Sequence, residues 1–166
     1  SGGLETASNR LLERMNKGVT VEQAALAMRN LCYAGIMVHT YLMYGFPTQT
    51  LQETVDSLEV VRQLFRAELV HSAFWHRYAM TVHSPSGAAP ERYGVRRRND
   101  RGAPFANNEV PFVENRGYDI RLAGESLREA LAHYMYGNGL ERPAHKWFAG
   151  KAPATTVDAA LVADQL

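Results

Sequence analysis

An α/β fold built on a parallel sheet is predicted by three features of the 166-residue chain. The stretch Ile36–Tyr44 is rich in β-branched and aromatic residues and reads as a buried strand. It runs into the tight turn Gly45-Phe46-Pro47, after which Thr50 opens a helix. The strand–loop–helix pattern recurs before and after it, and repeated units of that kind pair their strands in parallel. Ligands of such folds gather at the C-terminal ends of the strands. The expected site is therefore at the Gly45-Phe46-Pro47 turn.

The elements follow in order. Ser1-Gly2-Gly3-Leu4-Glu5 reads like the end of a strand entering a helix, and the chain is expected to be a fragment cut inside a domain. Ser8 caps a short helix that runs to about Asn16, with Leu11, Leu12 and Met15 as its apolar stripe; Lys17-Gly18 ends it. Thr20-Val21-Glu22-Gln23 is a capping box. The helix it opens carries Ala24, Ala27, Met28, Leu31 and Cys32 at helical spacing and stops near Gly35. The helix opened by Thr50 has Glu53 in the capping-box position, and its buried stripe is Val55, Leu58, Val61, Leu64 and Phe65. A second strand is expected over Leu69–Phe74, with a continuation towards Val82.

From His83 to Glu114, Gly, Pro, Asn and Arg accumulate without periodicity. This is a long loop region with a short helix near Pro90–Tyr93, and long loops are often functional. Arg96-Arg97-Arg98 reads as a solvated turn, since no aromatic residue is interleaved as nucleic-acid binding prefers. A last helix is expected over Leu122–Gly137, with Leu127, Leu131, Tyr134 and Met135 inward. Pro143–Phe148 adds a helical turn, and the Ala/Thr-rich tail after Lys151 is expected to be loosely ordered.

Composition bounds the function. The chain is 46% hydrophobic and 21% charged, as ordinary globular proteins are. A net charge of +1 favours neither nucleic acid nor an anionic membrane. No run is apolar enough to span a bilayer and no signal-peptide pattern opens the chain, so a cytoplasmic protein without a membrane partner is expected. The single cysteine, Cys32, excludes an internal disulfide and any all-cysteine metal site within the chain. Its place on an apolar helix face makes it a small core residue.

Gly3-Leu4-Glu5, Leu11-Leu12, Met15-Asn16-Lys17-Gly18-Val19-Thr20, Ala34-Gly35-Ile36 and Tyr44-Gly45-Phe46-Pro47-Thr48-Gln49-Thr50 occur in order and at close spacing. This ordered set resembles the second half of a radical S-adenosylmethionine (SAM) enzyme core. It is most similar to the branch of methylthiotransferases, coproporphyrinogen dehydrogenase-like proteins and cobalamin-domain radical enzymes. The resemblance covers about Gly2–Val82. It implies the C-terminal half of a partial (β/α) barrel of the TIM type over residues 1–83, followed by a loop-rich, mostly helical C-terminal extension over residues 84–166.

The resemblance also implies chemistry. Members hold a 4Fe–4S cluster on a Cys-x3-Cys-x2-Cys loop, bind SAM at the fourth iron and generate a 5′-deoxyadenosyl radical. That loop is absent here, and one cysteine does not replace it. The parent protein is expected to supply loop, cluster and SAM, together with the N-terminal half of the core. The chain alone is expected to bind no cofactor and to be inactive, and the substrate is not identified.

Several positions are carried over from the resemblance as cofactor-binding. Glu5, at the end of its strand, suits ribose hydroxyls or an ammonium group; its alternative role is to favour a helix N-terminus. Lys17 aligns with a basic residue that meets the methionine carboxylate, or else is a helix-end charge. Tyr41 stands where relatives place a polar residue near the nucleoside, or is a core aromatic. Gly45, Phe46 and Pro47 form a turn that offers backbone groups and an apolar wall to adenine, or is a turn without a ligand.

Trp75-His76-Arg77-Tyr78 is dense in groups that bind planar or anionic ligands. Alternation puts Phe74, His76 and Tyr78 on one face, so His76 and Tyr78 are substrate-binding candidates. The spacing of His71, His76 and His83 fits no zinc pattern, no metal site is expected, and backbone-paired structural histidines are the default reading. His133 and His145 read as helical surface or capping residues. Two other readings remain: a cluster-free (β/α) barrel enzyme whose turn grips a phosphate or nucleotide, and a non-catalytic interaction domain that uses Arg96–Arg98. A half-barrel leaves an uncovered strand edge and an apolar face, so the isolated chain is expected to self-associate. Light scattering behind size exclusion checks this, and a clean monomer at high concentration counts against it.

Overall fold

The computed structural model describes residues 1–98 and 108–166. Strands β1 (Gly2–Glu5), β2 (His39–Tyr44) and β3 (Ser72–Arg77) form a parallel sheet in that order. The α/β class is as the sequence predicts. Among the described residues the three strands do not close into a barrel. Helices α1 (Asn9–Arg14) and α2 (Val21–Tyr33) connect β1 to β2, and α3 (Leu51–Arg66) connects β2 to β3.

Local chemistry accounts for the helix starts. The Ser8 side chain accepts from the Leu11 amide. Both capping boxes are formed: Thr20 with Gln23 and Thr50 with Glu53 exchange side-chain and backbone bonds, which satisfies two otherwise orphaned donors at each start. β2 begins at His39 rather than Ile36. The Ile36 amide returns to the Leu31 carbonyl at 3.0 Å, so the chain spends Gly35–Val38 leaving α2. The expected stripe of α2 is rotated: Val21, Ala25 and Met28 are buried, Ala27 and Leu31 are exposed, and Cys32 is half-buried beneath the Leu69 carbonyl.

β2 and β3 pair without interruption from His39↔Ser72 to Tyr44↔Arg77, whereas β1 has an irregularity between Gly3 and Glu5. The two-residue strand period then separates two faces. Thr40, Leu42, Tyr44, Ala73 and Trp75 are buried in the core with the helices. Tyr41 and Phe74, on the other face, are 44% and 51% exposed, and His76 is exposed beside them.

α3 is the most enclosed helix. Besides the expected Val55, Leu58, Val61, Leu64 and Phe65, it buries Thr54, Asp56, Ser57, Glu59 and Gln63. These polar groups are partnered. Ser57 Oγ accepts from the Ala7 amide at 3.2 Å, and Glu59 pairs with Arg62 at 2.7 Å. Asp56 accepts from Thr155 Oγ1, the Thr156 amide and Thr156 Oγ1 at 2.7–2.8 Å. Gln63 donates to the Asp158 carbonyl and accepts from the Val162 amide. The tail after Lys151 is therefore not loosely ordered: its backbone is strapped to α3 through these side chains.

Helix α5 (Ile120–Met135), capped by Asp119, buries Leu127, Leu131 and Tyr134 as expected, but leaves Met135 41% exposed at its last turn. A 3-10 turn at Ala144–Trp147 follows. The region between holds the short helix α4 (Pro85–Ala88), a 3-10 turn at Pro90–Tyr93, and an antiparallel pair, β4 (Arg96–Arg97) with β5 (Phe112–Val113). Arg96-Arg97 is thus a strand rather than a solvated turn, although its side chains remain exposed, and Arg97 donates to the Gly87 carbonyl.

α5 meets the sheet at Gly124, where a Cβ would stand 2.6 Å from the Tyr44 ring. Overpacking of this kind costs about 1–3 kcal/mol. Gly124→Ala is expected to lower the thermal midpoint by several degrees, whereas Gly2→Ala, with open space around it, leaves it unchanged; differential scanning calorimetry of both variants checks this.

Candidate functional site

The C-terminal edge of the sheet is built from the turn after β2, the end of β1 and the exit of β3. The turn needs Gly45 twice over. Its φ is 79°, in the left-handed region, and a Cβ would collide with Ile120. The backbone polar groups here are already satisfied. The Gly45 and Phe46 amides donate to Gln49 Oε1 at 2.6 and 3.3 Å. Arg116 donates to the Gly45 and Phe46 carbonyls at 2.7 and 3.1 Å. Gly45, Phe46 and Pro47 are all buried.

Two further groups hold Thr48, whose φ of 69° is rare for a β-branched residue. Glu114 Oε1 accepts its amide at 2.6 Å, and Arg10 donates to its carbonyl at 2.9 Å. Glu114 and Arg116 form an ion pair at 2.6 Å with side chains only 8% exposed. Arg10 also forks onto Glu53, which accepts from Ser8 and the Thr50 amide as well. Burial pushes the Glu53 carboxyl up, but the Arg10 guanidinium and the Thr50 and Ser8 hydrogen bonds outweigh it and hold the carboxyl below its ordinary value.

At the end of β1, Glu5 adopts φ 61° and its carboxylate meets Lys17 Nζ at 2.7 Å. Twelve residues apart in sequence, the two candidates form one carboxylate–ammonium pair. Their side chains keep 20% and 37% of their exposure, so the pair is open to solvent. The sheet face that the described residues leave uncovered carries a chain of rings from β2 and β3. His39 meets Tyr41 at 5.1 Å, Tyr41 meets His76 at 5.5 Å and Phe74 meets His76 at 4.5 Å between centroids. Tyr41 is therefore a face aromatic rather than a core one.

Tyr78 parts from His76. β3 ends at Arg77, so the strand alternation no longer applies to it. Its ring packs at 5.0 Å from Phe46 and 6.0 Å from Phe112, and its hydroxyl bonds Ser86. It lines a cleft of about 1020 Å³ between the end of β3 and residues 109–120, where Gly45 and Arg116 also sit. Of the other histidines, His71 Nδ1 accepts the Val38 amide at 3.2 Å, the backbone pairing expected of a structural histidine. His133 is exposed and stacks near Trp147. Among the described residues no three His, Cys, Asp or Glu side chains gather as a metal site, and no helix is long and apolar enough to cross a membrane.

No family model matches the chain. The chain is 23% identical over 141 residues to the tRNA-2-methylthio-N(6)-dimethylallyladenosine synthase of Pelotomaculum thermopropionicum, covering 81% of this chain and 31% of that protein. It is 42% identical over 52 residues to an uncharacterized protein of Methanopyrus kandleri, covering 31% of this chain and 10% of that protein. The chain thus spans a tenth to a third of the length of these relatives.

The Glu114–Arg116 clasp was not legible in the aperiodic loop that carries it. Arg116→Met is expected to destabilise the fold by about 3 kcal/mol, because it strands a buried carboxylate and uncaps two carbonyls. Adding Glu114→Gln should recover part of that loss. Urea denaturation of the single and double variants measures both, and equal stability of Arg116→Met and the unaltered protein would remove the clasp from the account.

Proposed function

We propose that this chain is the C-terminal part of the core of a radical SAM enzyme, in which the sheet edge described above faces SAM and substrate. The ordered motifs from Gly3 to Thr50 support this reading, as does the similarity to a tRNA methylthio-synthase across most of the chain. The observation that carries it is the Glu5–Lys17 pair, exposed at the C-terminal end of a parallel strand. A carboxylate and an ammonium side by side match the ammonium and carboxylate of an amino-acid zwitterion, which is one end of SAM.

The donor set therefore fits SAM. Glu5 and Lys17 hold its methionine end in this reading. Tyr41 lies towards its nucleoside, with Gly45, Phe46 and Pro47. The amides and carbonyls of Gly45 and Phe46 are engaged by Gln49 and Arg116, so the turn serves as an apolar wall rather than as a set of backbone donors. His76 and Tyr78 lie on the substrate side. The N-terminal half of the parent's core packs against β1 and the uncovered face.

The cluster does not fit this chain's residues. Cys32 is its one cysteine, half-buried under the Leu69 carbonyl on α2. In the reading proposed here the Cys-x3-Cys-x2-Cys loop is supplied elsewhere in the parent. There the cluster and SAM supply the radical chemistry, and this chain's part is to bind and orient.

The test uses the full-length parent protein, reconstituted anaerobically. SAM binding and release of 5′-deoxyadenosine are expected, and Glu5→Gln and Lys17→Met are each expected to weaken SAM binding about tenfold, in line with loss of a charge-assisted hydrogen bond. A parent without a Cys-x3-Cys-x2-Cys sequence, or variants that bind SAM like the unaltered enzyme, would overturn the reading.

A further inference from the structure

Helix α5 stops in a way that leaves one asparagine open to reaction. The Gly137 amide donates to the Tyr134 carbonyl and the Asn138 amide to the His133 carbonyl, both at 2.9 Å, while Gly137 adopts φ 70°. These crossed bonds form a Schellman motif, which satisfies the last carbonyls of the helix. The motif holds the backbone of Asn138, but the residue itself is exposed. Its carboxamide makes no hydrogen bond among the described residues, and neither does the amide of the next residue, Gly139.

The fold requires a glycine at 139. Its φ is 71°, and a Cβ there would stand 2.7 Å from the Trp147 ring. Packing against Trp147 therefore sets beside Asn138 the residue that least obstructs its own nitrogen. The other described asparagines lack this combination. Asn9 donates to Glu22 and accepts the Val21 amide. Asn30 lies inside α2 and accepts from Arg29. Asn16 is exposed, but the amide that follows it, that of Lys17, donates to the Leu12 carbonyl at 3.0 Å. Asn108 and Asn115 precede Glu109 and Arg116, whose side chains crowd the nitrogen that would attack.

We propose that Asn138 is a site of spontaneous covalent modification, converted to aspartate and isoaspartate through a cyclic imide. The Gly139 nitrogen loses its proton and bonds to Asn138 Cγ. The Cγ–Nδ2 bond breaks, and the side-chain nitrogen leaves as ammonia, taking up a proton in place of the one released. Water then opens the ring. Attack at Cγ restores the original chain with aspartate at 138. Attack at the main-chain carbonyl leaves isoaspartate, with the chain rerouted through the former side chain. The steps exchange ammonia for water and involve no oxidant or reductant. Either product adds one carboxylate and takes the net charge from +1 to zero. That charge arrives at the C-terminal end of α5, where the helix dipole disfavours it. Isoaspartate also lengthens the main chain between a residue bonded to His133 and one packed on Trp147. The proposal does not rest on the radical-enzyme reading.

Peptide mapping by mass spectrometry of the folded chain, incubated at mildly alkaline pH, tests this. A gain of about one dalton, the exchange of an amide for an acid, is expected in the peptide that holds Asn138. It should grow with time and with pH, since the Gly139 nitrogen must lose its proton. Isoaspartate is expected among the products, and an acidic form should accumulate on ion exchange. Asn138→Gln lengthens an exposed side chain, so the fold is kept while the ring becomes harder to close. This variant is expected to lose the gain and to keep the thermal midpoint. No gain at Asn138 in the folded chain, a faster gain at Asn16 or Asn115, an equal gain at residue 138 in Asn138→Gln, or aspartate without any isoaspartate would overturn the proposal.

Discussion

Enclosure of α3 is the constraint on which the rest of the structure depends. A helix buried on most of its circumference gains from each apolar side chain, roughly 1.5–3 kcal/mol for a Leu or Val removed from water. It also brings polar groups into a medium where an unpartnered one costs as much as that gain. α3 carries both kinds. Its apolar stripe fixes where the sheet and α5 must lie. Its polar stripe fixes where three remote segments must lie: Ala7 against Ser57, Thr155-Thr156 against Asp56, and Val162 against Gln63. The segment before α1 and the C-terminal tail are thereby tied to one helix, although they are far apart in sequence.

The same helix begins at the site. Its first turn supplies Glu53, whose hydrogen bonds reach Ser8, Arg10 and Thr50, and Arg10 in turn holds Thr48. From the other side, Glu114 and Arg116 take the remaining turn groups. The turn is rigid because its polar atoms are distributed among α1, its own Gln49 and the 114–118 segment. By contrast, the sheet face that carries Tyr41, Phe74 and His76 is exposed among the described residues. A rigid edge beside an open face is the arrangement in which bound groups can be positioned by side chains while the backbone stays fixed.

Patterns with a local cause were legible in the sequence. Both capping boxes, most of the α3 and α5 stripes, strands β2 and β3 and the 3-10 turn at Pro90–Tyr93 follow from neighbours within a few residues. Errors occurred where distant packing decides. α2 presents Val21, Ala25 and Met28 because the core meets it on that line, and Leu31 has helical spacing but stays exposed. The tail looked loosely ordered because Ala and Thr have little periodicity; its order comes from Asp56, about a hundred residues away. At the site, Glu5, Lys17 and Tyr41 were expected from the resemblance, and His76 from strand alternation. That Glu5 and Lys17 meet, and that Tyr78 leaves the alternation for Ser86, depends on where β1 and β3 stop.

The strap across α3 also imposes an order on synthesis. The chain leaves the ribosome from its N-terminus, so α3 emerges long before Thr155, Thr156 and Val162 exist. Until then Asp56 and Gln63 have only water for those contacts, and the helix lacks the cover that closes the core. A nascent chain stalled short of residue 155 would leave the Asp56 carboxylate and the Gln63 amide of α3 facing water. The segment from Thr155 to Val162 thus covers α3 only after every other element of the core has been made.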